Sequence, residues 1–223
     1  MRSSAPFITF EGIEGSGKTT LSRWLAEWLN TQEIPTLWTC EPGGSELGVA
    51  LRNALLHSSV DILTELFLFL ADRAHHVRTV ILPALQRGTW VICDRYADST
   101  LAYQGYGRGL NLRWLRQLNK VATQGLKPDL TFLIDVPVEV ALTRTTQPNR
   151  FEQESLAFHQ RVRKGYLQLA ERLSECDRFV ILDGTKPLET LQRTIQRVVR
   201  TRIPIQTSLA PSGRNGKEEG VSG

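Results

Sequence analysis

Long apolar runs are missing from this 223-residue chain, the longest being the six residues 66 to 71. A membrane-crossing helix needs about 18 or more, so no span is expected. Met1, Arg2, Ser3 and Ser4 pass directly into a strand-like segment in place of a signal peptide, and a soluble, non-exported chain is the expectation. Cysteine is scarce. Cys40, Cys93 and Cys176 form no CxxC pair and leave one thiol unmatched in any disulfide scheme, which fits reduced thiols in a cytoplasm. The four histidines show no metal-ligand spacing. His75 and His76 are adjacent, so on a helix they point about 100° apart, which suits surface or interface positions better than one zinc ion. Charge of one sign is not in large excess either: 27 Lys+Arg against 23 Asp+Glu gives 27 − 23 = +4. The basic residues are scattered, without the basic-aromatic interleaving of a nucleic-acid surface, so no nucleic-acid partner is expected.

Periodicity supplies the positive signal. Short apolar runs alternate with longer segments of helical period, the pattern of a parallel sheet covered by helices. Five runs read as strands: residues 7–11, 36–40, 90–94, 130–136 and 178–182. Leu21, Trp24, Leu25, Trp28 and Leu29 define the apolar face of a helix starting at Lys18 or Thr19. Residues 62–82 read as a helix apolar on more than one side, buried against the sheet and a partner subunit. Further helices are expected over residues 112–122, 137–145, 155–173 and 187–202. The fold class is therefore α/β, a three-layer sandwich with a five-stranded parallel sheet and helices on both faces. Residues 1–206 read as one domain, and the Gly/Ser/Pro-rich residues 207–223 as a disordered tail.

Gly12-Ile13-Glu14-Gly15-Ser16-Gly17-Lys18-Thr19 fits GxxxxGK[ST] between a strand and an amphipathic helix, which makes the expected sandwich that of a P-loop NTPase. The glycines let backbone N–H groups face phosphate oxygens, Lys18 reaches the β and γ phosphates, and the Thr19 hydroxyl ligates Mg²⁺. ATP and Mg²⁺ are thus the expected cofactors. Asp94 ends the third strand, where a parallel sheet sets it beside the P-loop as a second Mg²⁺ group. A hydrolytic ATPase usually carries another carboxylate next. Here Arg95 follows, a fork for a second phosphate, which points to an anionic phosphoryl acceptor. A GTPase is disfavoured, because Asn119-Lys120-Val121-Ala122 lacks the aspartate of a guanine loop.

Taken together, these motifs resemble the bacterial thymidylate kinase family over about residues 7–190. The resemblance is carried by the P-loop, Glu41-Pro42-Gly43-Gly44, Phe69 with Ala71-Asp72-Arg73, Asp94-Arg95-Tyr96 with Ser99, the Tyr103-Gln104-Gly105-Tyr106-Gly107-Arg108-Gly109 run, Pro128-Asp129, and Arg150-Phe151-Glu152-Gln153-Glu154. It implies transfer of the γ-phosphate of ATP to dTMP by a homodimer. It further implies that Phe69 stacks on thymine, Arg73 donates to a thymine carbonyl, and Ser99 and Gln104 address the base edge. Tyr103 would pack near the sugar, Glu14 accept from its 3′-OH, and Arg52 and Arg95 hold the dTMP phosphate. Catalysis would rest on Lys18, Arg95 and a lid arginine. The lid reads as residues 143–153, with Arg150 as catalytic cation and Arg144 packing on adenine. Two departures stand out: Cys40 where many relatives have arginine before Glu-Pro-Gly-Gly, and Asn149 where an acid commonly precedes the lid arginine. A deoxynucleoside kinase using Glu41 as base, and a nucleic-acid-binding P-loop ATPase, remain as alternatives. The first would prefer thymidine over dTMP, and the second would show DNA-stimulated hydrolysis.

Overall fold

The structure is a computed structural model, and it describes residues 5–144, 150–172 and 176–203, omitting the Cys176 side chain. The predicted tail at 207–223 and lid residues 145–149 lie outside the described residues, as does Asn149. Five strands, β1 (Phe7–Glu11), β2 (Thr36–Cys40), β3 (Trp90–Asp94), β4 (Leu130–Asp135) and β5 (Phe179–Asp183), form one parallel sheet in the order β2-β3-β1-β4-β5. Every residue of β1 and β3 is buried, so both faces of the sheet are covered, as parallel sheets require. This matches the expected α/β class, with strand ends within a residue of those read from the sequence.

Helix α1 (Lys18–Thr31) packs on β1, β2 and β3 through Leu21, Leu25 and Leu29. Helix α2 (Glu46–His57) was not legible in the sequence. Its buried positions are Gly48 and Leu55, while Leu47 and Val49 face solvent, so no apolar stripe announces it. Its N-terminus is nevertheless capped, Ser45 Oγ accepting from the Gly48 N–H. Helix α3 (Ile62–His76) passes into a π-helical stretch, Val77–Ile81, and then α4 (Leu82–Gln86), dividing what the sequence reads as one helix. On its inner side Leu66 is buried, as expected of the sheet-facing side, while Ile62, Leu63 and Phe67 are exposed on the single chain. His76 is a correction, being fully buried between Thr39 and Glu41 instead of at the surface.

After β3, α5 (Ala97–Thr100) leads into a second π-helical stretch, Leu101–Gly107. Such widened turns concentrate at functional sites. Helices α6 (Leu112–Ala122), α7 (Val138–Thr143), α8 (Leu156–Ala170) and α9 (Leu188–Arg202) complete the described chain. The buried face of α8, carrying Phe158, Val162 and Tyr166, packs against the Leu101–Gly107 stretch and holds it over the sheet's carboxyl edge.

Candidate active site

The P-loop occupies the bend between β1 and α1. Gly15 has φ 71°, and a Cβ there would lie 2.0 Å from the Ala141 carbonyl oxygen, so only glycine fits. Gly12 lends its carbonyl to Arg95 Nη1 (3.0 Å), Ile13 accepts from Lys18 Nζ (2.9 Å), and Gly17 opens α1 in a left-handed conformation. Burial, then the neighbouring Arg95, lowers the Lys18 ammonium to about 8, and a bound anion would raise it again.

Register explains the placement of Asp94. Phe10 of β1 pairs with Asp94 of β3, so the strand that ends in the P-loop lies beside the strand that ends in the acid. The Thr19 hydroxyl donates to Asp94 Oδ2. Among the described residues, Asp94 Oδ1 and Ser16 Oγ are buried with no hydrogen-bond partner. An orphaned carboxylate oxygen beside a hydroxyl is the hard-oxygen donor set that suits Mg²⁺ carried in by phosphates. No cluster of three or more His, Cys, Asp or Glu able to hold a metal occurs among the described residues.

Arg95 connects the loop to a second pocket. Its backbone is left-handed at φ 71°, a strained setting for a non-glycine residue, and the turn sends its guanidinium back across the cleft. Nη1 donates to Gly12, Ser99 Oγ (3.3 Å) and Tyr166 Oη (3.1 Å), and Nη2 donates to Glu14 Oε1 (3.0 Å) and Tyr103 Oη (3.3 Å). Burial pushes the Glu14 carboxyl up, but Arg95, Lys18 and the Tyr103 hydroxyl outweigh it and leave it below its ordinary value. Beneath this layer, Glu11 accepts from the Tyr96 N–H, Ser99 Oγ and Tyr166 Oη. Burial first, then Asp98, raises its carboxyl to about 7.

A cleft of about 240 Å³ joins these parts. Its lining includes Glu14, Lys18, Thr19, Asp94 and Arg95 on the P-loop side. Arg52, Phe69, Arg73, Ser99, Tyr103 and Gln104 line it on the other. The structure thus brings together every residue assigned above to the acceptor. Arg73 is 2% exposed and makes four bonds, to Glu41 Oε2 (2.7 Å), Thr100 Oγ1 (2.6 Å), Asn119 Oδ1 (2.8 Å) and the Tyr96 carbonyl (2.9 Å). Of its five N–H groups, one on Nη2 lies beyond these four bonds. Phe69 and Tyr103 each approach the Phe151 ring, at 5.8 and 6.1 Å.

Both basic lid residues are held elsewhere. Arg144 Nη1 donates to the carbonyls of Gly15 (3.4 Å) and Gly184 (3.2 Å), bridging the P-loop to the turn after β5. Arg150 does not line the cleft: it binds Glu65 Oε2 (2.7 Å) and the Leu55 carbonyl. Sequence reasoning passed over Glu11, Thr100, Asn119 and Tyr166, none of which stands in a motif with its partner; Tyr166 meets Arg95 across 71 positions.

A nucleotide loop facing an arginine-lined pocket at the sheet's carboxyl edge defines a P-loop phosphotransferase with a phosphorylated acceptor, the nucleoside monophosphate kinase class. Comparison with known proteins narrows this. A family model described as thymidylate kinase matches residues 10–195. The thymidylate kinase of Desulfovibrio desulfuricans is 49% identical over 221 residues, covering 93% of this chain and 98% of its own. That of a Synechococcus strain is 52% identical over 199 residues, covering 88% and 96%. The crystal structure of thymidylate kinase from Ehrlichia chaffeensis superposes with a TM-score of 0.72 at 36% identity, covering 87% of this chain and 98% of that one. The chain belongs to the thymidylate kinase family, and its reaction is transfer of the γ-phosphate of ATP to dTMP, giving dTDP.

Proposed function

We propose that the two halves of the cleft divide the substrates, with ATP phosphates on the loop Gly12 to Thr19 and dTMP in the pocket lined by Phe69 and Arg73. The observation that carries this reading is Arg95, whose single guanidinium spans both halves, touching the Gly12 carbonyl and the Tyr103 hydroxyl. Phe69 stacks on the base, the remaining Arg73 N–H reaches a base carbonyl, and Gln104 addresses the base edge. Ser99, whose hydroxyl is engaged by Glu11, acts at that edge mainly by steadying Arg95. Tyr103 packs by the sugar with Glu14 accepting from its 3′-OH, and Arg52 joins Arg95 on the acceptor phosphate.

The acceptor is already ionised, so positioning and cation placement carry the chemistry and no strong general base is needed. Lys18, Arg95 and Arg150 neutralise charge on the transferred group. Thr19 and Asp94 would hold Mg²⁺, which supplies charge neutralisation at the donor phosphates. Arg144, linked to the Gly184 turn, packs on adenine.

The exposed apolar side chains Ile62, Leu63 and Phe67 on α3 support a homodimer interface. No helix among the described residues is long and apolar enough to cross a membrane, which, with free Cys40 and Cys93, supports a cytoplasmic setting. Comparing thymidine with dTMP as acceptors tests the pocket reading. Preference for thymidine would assign Glu41 to sugar deprotonation and Arg95 to another task.

A further inference from the structure

Glu65 lies in α3 with its side chain almost wholly inside the protein, yet none of the roles above uses it. Its two oxygens are divided among three partners. Oε1 accepts from Gln104 Nε2 (2.8 Å) and from Arg108 Nε (3.4 Å), while Oε2 accepts from Arg150 Nη1 (2.7 Å) and Arg108 Nη2 (3.2 Å). A carboxylate held by two guanidinium groups offers only lone pairs, so the end of the Gln104 amide that turns toward it has to be the nitrogen. The carbonyl end is then what Gln104 can present to the cleft it lines.

We infer that Glu65 is a specificity-determining positioning residue, fixing the Gln104 side chain so that an acceptor, and not a donor, meets the base. The inference rests on the reading of that pocket as the dTMP base site. Thymine carries an N–H between two carbonyls and matches an acceptor there. Cytosine presents a lone pair at the same ring position and would face the Gln104 carbonyl oxygen with no proton between them. Discrimination is steep when a buried polar group is left unpaired by the wrong partner. Arg108, itself tied to Glu154, keeps the Glu65 carboxylate from rotating away, so the preference is built into α3 and the Leu101–Gly107 stretch before substrate arrives.

The test is Glu65→Gln beside Glu65→Asp, each assayed with ATP and with dTMP or dCMP as acceptor, and each checked for folding by thermal melting. A glutamine at 65 can offer either end of its amide, so Gln104 is free to turn over. The ratio of kcat/KM for dTMP over dCMP should then fall about ten-fold or more, with KM for dTMP carrying the loss on that substrate. Glu65→Asp keeps an acceptor-only group and should keep the wild-type preference. A folded Glu65→Gln protein that retains that preference overturns the inference, even if its kcat is lower, because a merely structural role predicts that pattern. Should Glu65→Gln not fold, the Gln104 side-chain amide of the wild-type protein is read by nitrogen-15 NMR. One Gln104 amide proton shifted downfield and protected from exchange with water supports the bond to Glu65, and a pair that exchanges as fast as that of an exposed glutamine rejects it. Failure of the wild-type protein to phosphorylate dTMP would instead remove the base-site reading itself.

Discussion

Arg95 Nη2 and Glu14 Oε1 stand 3.0 Å apart, so the P-loop's own carboxylate neutralises the arginine proposed to hold phosphate. The pair is largely shielded from solvent, and the left-handed Arg95 backbone aims it across the cleft. Removing one partner of a shielded pair exposes the charge of the other. Arg95→Ala should therefore lower kcat/KM for dTMP by about 10² to 10³, in line with loss of a preorganised cationic donor. Arg95→Lys should rescue little, because an ammonium cannot span Gly12, Glu14 and Tyr103 together. Steady-state kinetics on both variants decide this; a lysine variant near wild type would show that charge alone suffices.

Arg150 rests on Glu65 while its Nη2 is buried without a partner among the described residues. A docking that leaves one donor unmade is easily left when phosphate offers a better partner. Arg150→Ala should lower kcat far more than it raises KM for dTMP. An unchanged kcat would remove Arg150 from the mechanism.

Lys18 predicts a proton linkage for the donor. Burial and Arg95 lower its ammonium to about 8, from an ordinary 10.5, and bound phosphates would raise it again. ATP binding should take up a proton above about pH 8 and close to none at pH 7. Calorimetry in two buffers of different ionisation enthalpy measures the uptake, and a value independent of pH would contradict the assignment.

Glu11 predicts how stability changes with pH. Its carboxyl is raised from 4.5 to about 7 by burial and by Asp98, so between those values the folded protein holds a proton that the unfolded chain has released. The contribution is fully present below about pH 4.5 and is lost as pH rises through about 7. Glu11→Gln should flatten the decline in that window, measured by denaturant unfolding. The same slope in the variant would mean that another group carries it.

Exposed Ile62, Leu63 and Phe67 predict a dimer in solution. Light scattering should give twice the chain mass, and replacing Phe67 with Glu should shift the protein toward monomer. A stable, active wild-type monomer would contradict this interface.

Much of this site was legible before the fold was known, for reasons particular residues make plain. The P-loop is contiguous, and Asp94 with Arg95 ends a strand whose position beside β1 follows from parallel packing; the Phe10 to Asp94 register bears that out. Helix α2 stayed hidden because Leu47 and Val49 point outward, so its sequence has no helical stripe. His76 was misjudged because adjacency on a helix says which way a side chain points and not what covers it; Thr39 and Glu41 come from β2 and the loop beyond. Tyr166 and Asn119 were missed for a related reason. Each meets its arginine through tertiary packing, and neither residue type at its own position marks a function.

The most direct test is a coupled assay of the purified protein with ATP, Mg²⁺ and a panel of nucleoside monophosphates alongside thymidine. The division of the cleft predicts that dTMP has the highest kcat/KM, that thymidine is a poor acceptor, and that ATP alone is hydrolysed slowly. Preferential phosphorylation of thymidine, or rapid ATP hydrolysis without any acceptor, would contradict it.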